Sequence, residues 1–297
     1  MRQNESVMVT GSEGFLGASL VRAIKNTGKK VIPVDYKLGQ DLLKKESLSD
    51  LPDADVIVHL AGKTYIPSAW DDPHAMYDIN INTTLNMLEF ARRRGARKFI
   101  FPSTYVYGQP QYLPIDEKHP VNVWNPYARS KLLGEELCRA YSEDYNIQSI
   151  ILRLFNVYGP GQPQFFLIPT IISQLSSTTI TLEDGSPRRD FVYISDVIRA
   201  FQLSLDFDNS KFEIFNIGSG VSHRVGDVAD LVLKISNSGG NVVYKNVRRK
   251  NEVMDTVADI SKAKRLLGWE PGVTLEEGLK NMISNKIIAS AIYKERI

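Results

Sequence analysis

The chain is poor in the residues that mark several common protein classes. It has one cysteine, Cys138, in 297 residues, so no internal disulfide can form. Cys138 lies in a helical pattern and reads as a small core residue rather than a nucleophile. The four histidines, His59, His74, His119 and His223, show no metal-ligand spacing, and no metal is expected. No uninterrupted apolar run approaches the ~20 residues that a membrane span needs. The start MRQNESVMVTG leads into a strand pattern with no apolar signal region. The formal net charge is only +2, so no global field favours nucleic acid or a membrane surface. Internal repeats and low-complexity linkers are also missing. The reading left is a cytoplasmic enzyme with neither nucleic acid nor membrane as partner.

What is present is an ordinary globular composition, 43% hydrophobic and 24% charged, long enough for one large or two modest domains. VMVT at 7–10, VIPVD at 31–35, DVIVHLA at 55–61, KFIFPS at 98–103 and SIILRLF at 149–155 read as strands. They are nearly continuous in apolar character, as in parallel strands buried on both faces. Helical patterns near 15–27, 73–94 and 126–145 separate them. Such alternation predicts an α/β fold with a doubly wound parallel sheet of the Rossmann type. After Gly161 the rhythm changes. Helical patterns near 166–176, 195–207, 225–236 and 274–290 alternate with short strands, TITL at 179–182 and EIFNIG at 213–218. The expected organisation is a dinucleotide domain over 1–160 and a smaller mixed α/β substrate domain over 161–297. Segments near 190–218 are candidates to return to the first domain.

Gly11, Gly14 and Gly17 follow the first strand, and Phe15 and Leu16 open the helix after it. Glycine lets the chain turn tightly and lets a pyrophosphate approach the backbone, where free helix N-terminal N–H groups await it. The spacing is G-x-x-G-x-x-G rather than G-x-G-x-x-G, so it gains weight only from its context. Asp35 ends the second strand, where a carboxylate accepts both ribose hydroxyls of NAD and repels the 2′-phosphate of NADP. Asp41 and Leu42 are placed beside the adenine or, for Asp41, at a helix N-cap. Leu60, Ala61, Gly62 and Lys63 follow His59 at the same sheet edge, where small residues leave room for the cofactor.

Tyr127 and Lys131 lie four residues apart on one predicted helix and share a face. With 13 tyrosines in the chain the spacing alone proves little. The pair, however, follows Ser103 at the end of a strand, and its helix opens at Pro126, a residue suited to that place. Oxidising a sugar alcohol needs a base for the hydroxyl proton. A free tyrosine, with a pKa near ~10, is too weakly acidic to supply one at neutral pH. An ammonium at Lys131, together with a nicotinamide cation, is expected to favour the phenolate. Lys131 is also expected at the ribose hydroxyls, and Ser103 at the sugar oxygen.

The segments VTGSEGFLG, VIVHLAG, FPSTYVYG, NPYARSK, LRLFNVYGPG, RRDFVYISDV and LLGWEP resemble the motifs of the NAD-dependent epimerase/dehydratase family of extended short-chain dehydrogenases. The resemblance spans nearly the whole chain. It implies the fold, NAD as cofactor and a Ser–Tyr–Lys triad at Ser103, Tyr127 and Lys131. Asn80 matches the family's helix asparagine. The resemblance also implies a nucleoside diphosphate-sugar over the second domain, contacted by Ser103, Thr104, Asn156, Arg189 and Arg249. Arginine forks suit phosphate oxygens. Arg92, Arg93 and Arg94, by contrast, end a helix and read as surface. Helices 73–94 and 126–145 are expected to form a four-helix bundle with their copies in a homodimer.

Family dehydratases carry an acidic pair after the triad serine or threonine. Here Thr104 and Tyr105 stand there, which argues against dehydration and weakens decarboxylation. A 4-epimerase is the preferred reading, since the second domain's motifs resemble epimerases. A 4-keto-6-deoxysugar reductase is the alternative, favoured by the short Asp35–Asp41 connection. A non-catalytic dinucleotide sensor is a third reading, which the intact Ser–Tyr–Lys set disfavours. Residues near Lys63–Trp70 and Gln164–Leu167 are expected to choose the sugar and nucleoside.

Overall fold

Side chains alternate between the two faces of a strand, so a strand with apolar residues at every position must be covered on both sides. The computed structural model describes residues 5–248 and 251–294 and shows this arrangement. The strands are β1 (Ser6–Thr10), β2 (Lys30–Val34), β3 (Val56–His59), β4 (Lys98–Thr104), β5 (Gln148–Leu154), β6 (Asn156–Tyr158), β7 (Thr179–Leu182), β8 (Arg188–Tyr193), β9 (Phe212–Ile217), β10 (Ser222–Arg224) and β11 (Asn241–Tyr244). The helices are α1 (Phe15–Lys25), α2 (Lys45–Ser49), α3 (Ile66–Asp71), α4 (Pro73–Tyr77), α5 (Thr83–Arg94), α6 (Pro126–Tyr145), α7 (Leu167–Ser173), α8 (Ile194–Asp206), α9 (Val225–Ile235) and α10 (Leu275–Lys294).

One sheet has six parallel strands in the order β2-β1-β3-β4-β5-β9. It is a Rossmann-type doubly wound sheet. Val7, Val9, Val56 and Val58 point into a core shared with Leu20 and Ile24 of α1 and with Val197 and Phe201 of α8. Met8, Ile57, Phe99 and Phe101 point the other way, onto Met87 and Leu88 of α5 and Cys138 of α6. Cys138 is thus a fully buried core residue.

Strand order reverses at β1, which has β2 on one side and β3 on the other. The carboxyl end of such a switch point is where doubly wound sheets open a ligand crevice. After β2 the chain makes a 3₁₀ turn, Tyr36–Leu38, and among the described residues no strand lies outside β2 in this sheet. The helical pattern at 73–94 is one nearly continuous rod, but Asp78–Asn82 within it is wound as a π-helix. Such segments recur at functional sites, and Asn80 sits in this one.

Beyond Gly161 the chain adds a three-stranded sheet, β10-β8-β6, and a two-stranded pair, β11-β7. Strand β9 pairs with β5 in the large sheet. Two acids fasten the parts together. The Asp196 carboxylate accepts the N–H groups of Gly272 and Val273 at 2.9 and 3.0 Å, and its carbonyl accepts Trp269 Nε1 at 2.8 Å. The buried Asp190 accepts Ser219 N–H and Oγ, Gly220 N–H and Ala258 N–H at 2.5–3.0 Å. Burial pushes its carboxyl up against the pull of these hydrogen bonds.

At the opposite end of the sheet the fully buried Lys98 closes α8. Its Nζ donates to the carbonyls of Ser204, Leu205 and Phe207 at 3.1, 2.6 and 2.7 Å, where a helix presents partial negative charge. Burial lowers its pKa. Lys98→Met removes the donor and leaves the Leu205 carbonyl without this partner, while Phe207 keeps Gln148 Nε2, so it should cost about 1–3 kcal/mol of stability. Urea unfolding reads this directly, and an unchanged midpoint would show that water replaces the ammonium.

Candidate functional site

The crevice is built from three turns at the carboxyl ends of β1, β2 and β3. Gly11 has φ +66°, and a Cβ there would come within 2.7–2.9 Å of the backbone of Leu60 and Ala61. The two turns can therefore touch only if residue 11 is glycine. A Cβ on Gly17 would run into the Gly11 carbonyl, so the first turn of α1 packs directly on the loop. Gly14 caps α1 without a side-chain acceptor, which leaves the helix N-terminal N–H groups, Phe15 and Leu16 among them, facing the crevice. The Ser12 hydroxyl in this loop is buried and has no hydrogen-bond partner among the described residues. Asp35 holds its place by accepting Glu13 N–H and Lys37 N–H, each at 2.9 Å. A tight glycine turn, an uncapped helix, an orphaned hydroxyl and a fixed carboxylate together fit a dinucleotide.

The crevice floor is equally defined. His59 is fully buried, with Nδ1 2.8 Å from Thr10 Oγ1 and Nε2 3.4 Å from Thr83 Oγ1. Burial, with the nearby Lys131 charge, lowers its pKa to about 3. The Thr10 hydroxyl also accepts Ala61 N–H at 3.1 Å. Asn80 accepts Lys63 N–H at 2.7 Å and donates to the Lys63 carbonyl at 3.0 Å and to Ser130 Oγ at 2.8 Å. The Gly62–Lys63 turn is thus slung from both α6 and the π-wound segment. Asp41 accepts Leu43 N–H at 3.1 Å, capping a turn rather than a helix. Leu42 is buried in the core beside α5, and its carbonyl accepts Asn86 Nδ2 at 2.8 Å.

Ser103 and Thr104 end β4, and α6 crosses above them. Asn125 caps α6 by accepting Ala128 N–H at 2.8 Å, and Pro126 opens it. Tyr127 is half-buried and Lys131 buried. Lys131 Nζ lies 4.5 Å from the Phe101 ring centre, and burial lowers its pKa to about 8. It is therefore mostly charged at neutral pH. Burial pushes the Tyr127 hydroxyl up to about 12, against the pull of a hydrogen bond with Thr104. The sequence shows which residues share a helix face but not how dry that face is.

On the substrate side Asn156 donates to the Asp190 carbonyl at 3.2 Å. Arg189 donates to the carbonyls of Arg188 and Val253 at 2.8 and 2.6 Å and pairs with Glu252. Its guanidinium is thus engaged within the protein. Arg249 lies outside the described residues. The rings of Tyr65 and Phe165 meet at 4.3 Å, joining the two segments expected to set specificity. Among the described residues no group of three or more His, Cys, Asp or Glu is placed to hold a metal ion, and no helix is long and apolar enough to cross a membrane.

Residues 7–218 match the NAD dependent epimerase/dehydratase family. The chain belongs to this family. A putative UDP-glucose 4-epimerase of Methanocaldococcus jannaschii is 34% identical to it, over 94% of this chain and 97% of that protein. A GDP-6-deoxy-D-mannose reductase of Pseudomonas aeruginosa is 31% identical, over 95% of this chain and 97% of that one. A Thermotoga maritima UDP-glucose 4-epimerase, solved with UDP-glucose, shares the fold with a TM-score of 0.89 at 28% identity, over 96% of this chain and 99% of that one. As a family member the chain is an NAD-dependent enzyme.

Several members of this family site escape a linear reading. Glu135 and Arg153 form a buried ion pair beneath Ser103, with Arg153 Nη2 2.6 Å from Glu135 Oε2. The available signals were an acid one turn beyond Lys131 and a lone charge inside the apolar strand SIILRLF. The Thr10–His59–Thr83 contacts bridge three separate segments and carry no local signal. His59 also gives the family fold a pH response. Between pH 6.5 and about 3 the unfolded chain takes up a proton that the folded His59 refuses. Stability should therefore fall with acid across that window, by up to about 1.4 kcal/mol per pH unit from this residue. In His59→Gln the same stretch of the stability curve, measured by denaturant unfolding at each pH, should be flatter.

Proposed function

We propose that this chain is an NAD-dependent epimerase that inverts C4 of a nucleoside diphosphate-sugar through a transient 4-keto sugar. The observation that carries the reading is the set at the end of β4. Ser103 and Thr104 stand under Tyr127 and Lys131, and the residues after Ser103 are Thr104 and Tyr105 rather than carboxylic acids. An alcohol can be oxidised and a ketone reduced there, but neither Thr104 nor Tyr105 is an acid that could expel water from a neighbouring carbon.

NAD, when bound, supplies a hydride acceptor that becomes a hydride donor. Everything else falls to side chains. Tyr127 takes the 4-hydroxyl proton during oxidation and returns it after the keto-sugar has turned its other face. Burial holds its hydroxyl at about 12, so this needs positive charge close by. Lys131, on the same helix face, is the residue placed to supply it. Thr104 supports the phenolate by hydrogen bonding. Asp35 holds the adenosine ribose, and the Gly11–Gly17 turn holds the pyrophosphate. Residues 161–297, with Asn156 and Arg189, hold the nucleoside diphosphate, and Arg249 belongs to the same role.

A 4-keto-6-deoxysugar reductase is the second reading, because Asp35 and Asp41 are joined by one short turn and, among the described residues, no strand lies outside β2. The comparison with the Thermotoga maritima epimerase weakens that argument, since 99% of that chain is covered. We further propose a cytoplasmic homodimer joined through α5 and α6, which expose Leu85, Leu133 and Tyr145. Light scattering at micromolar concentration should give twice the chain mass.

The deciding assay mixes the purified protein with sugar nucleotides. An epimerase should carry bound NAD(H), interconvert gluco and galacto forms without added reductant, and keep deuterium at C4. Stoichiometric loss of reduced nicotinamide with a keto-sugar, and no interconversion of any pair, would instead establish the reductase. In either case Tyr127→Phe should lower turnover by about 10²–10⁴-fold. Sugar-nucleotide affinity should persist, because the ring remains.

A further inference from the structure

The helix that carries Tyr127 and the turn that walls the cofactor crevice are joined through two buried side chains. Ser130 lies on α6 between Tyr127 and Lys131 and is fully buried. Its Oγ donates to the Tyr127 carbonyl at 2.7 Å. A serine often bonds back to its own helix in this way. Its other partner is not local. Asn80 Nδ2, 50 positions earlier in the chain, lies 2.8 Å from Ser130 Oγ. Asn80 also accepts Lys63 N–H at 2.7 Å and donates to the Lys63 carbonyl at 3.0 Å. The turn lies flush on this amide, since a Cβ on Gly62 would come within 2.8 Å of Asn80 Oδ1.

The sense of each bond is forced. A backbone carbonyl only accepts, so the single Ser130 proton goes to Tyr127. Ser130 Oγ is left as an acceptor, and its donor must be the Asn80 amide nitrogen. Asn80 Oδ1 then faces Lys63 N–H, as it must, because that N–H only donates. Both Nδ2 protons and the Ser130 proton have an oxygen to meet, and the Met76 sulfur at 3.2 Å is a weak third contact of Nδ2. One chain of hydrogen bonds thus runs from the turn after β3, through the π-wound segment, to the first turn of α6.

That first turn has little else to fix its height over the crevice. Helix N-terminal N–H groups lack partners within the helix, and here the Asn125 side chain meets only Ala128 N–H. We propose that Ser130 is a positioning residue, which through Asn80 fastens the first turn of α6, and with it Tyr127, to the cofactor turn at Gly62–Lys63. A dinucleotide that seats this turn then seats the tyrosine as well. The inference rests on the reading of Tyr127 as the acid–base residue, so one of its tests involves no turnover.

The turnover-linked test compares single and double variants. Ser130→Ala should lower kcat by about 10–10²-fold, within the usual cost of a small misplacement, and leave KM for the sugar nucleotide nearly unchanged. Asn80→Ala should lower kcat as much and weaken NAD binding too, because it also frees the Lys63 turn. The two residues act through one link, so the double variant should lose no more turnover than Asn80→Ala alone. Ser130→Thr keeps the hydroxyl and should recover most of the activity. If its methyl group does not fit the buried site, the double-variant comparison decides. Losses that multiply, or a raised KM in place of a lowered kcat, would overturn the proposal.

The independent test is amide hydrogen exchange with and without NAD, in the absence of any sugar. In the wild-type chain NAD should slow exchange in residues 61–64 and also in residues 127–131. In Ser130→Ala the protection of 61–64 should persist and that of 127–131 should be lost. Protection of 127–131 that survives the substitution, or that never appears in the wild type, would overturn the link. A Tyr127→Phe enzyme with normal turnover would instead remove the acid–base reading, and the exchange result would still judge the link.

Discussion

The closeness of α6 to β4 sets the geometry of the candidate site. A Cβ on Gly134 would lie 2.5 Å from the ring of Phe101, which is itself buried in the sheet's core. Residue 134 can be nothing larger without pushing the helix away. Because the helix rides this low, Tyr127, Lys131 and Glu135, each one turn after the last, face the end of β4. Lys131 reaches the Phe101 ring and Glu135 reaches Ser103. A helix held even one methyl group higher would keep the same sequence spacing and lose these contacts.

The features read correctly from sequence were those whose cause is local. Gly11 and Gly17 announce a tight turn because their backbone neighbours leave no room for a Cβ. The strands of the large sheet announce themselves by unbroken apolar runs. Tyr127 and Lys131 share a face because helical spacing says so. The features that stayed hidden arise across the fold. Glu135 and Arg153 are 18 positions apart, and only the β4–β5 register brings Ser103 to both. Strands β6 and β10 are only three residues long, and RRDFVY of β8 mixes charge with apolar residues, so no periodicity marks them. Burial decides the sense of the Tyr127 shift, and burial is a property of the assembled fold.

Buried charge is used here mainly as fastening. Lys98 closes α8, Asp196 receives the chain around Trp269, and Asp190 gathers the turn after β9 with Ala258. Each would be costly alone in the interior and is tolerated because several hydrogen bonds meet it. The Glu135–Arg153 pair differs, since one of its hydrogen bonds goes to Ser103 at the end of β4, beside the candidate site.

Asp190 also bears on how far the two sheets can move apart. It lies on β8 of the smaller sheet, while the turn it holds leaves β9 of the large one. The polypeptide thus passes between the two sheets and is stapled at the crossing. Any motion that parts the sheets there has to break the hydrogen bonds that meet at that one carboxylate.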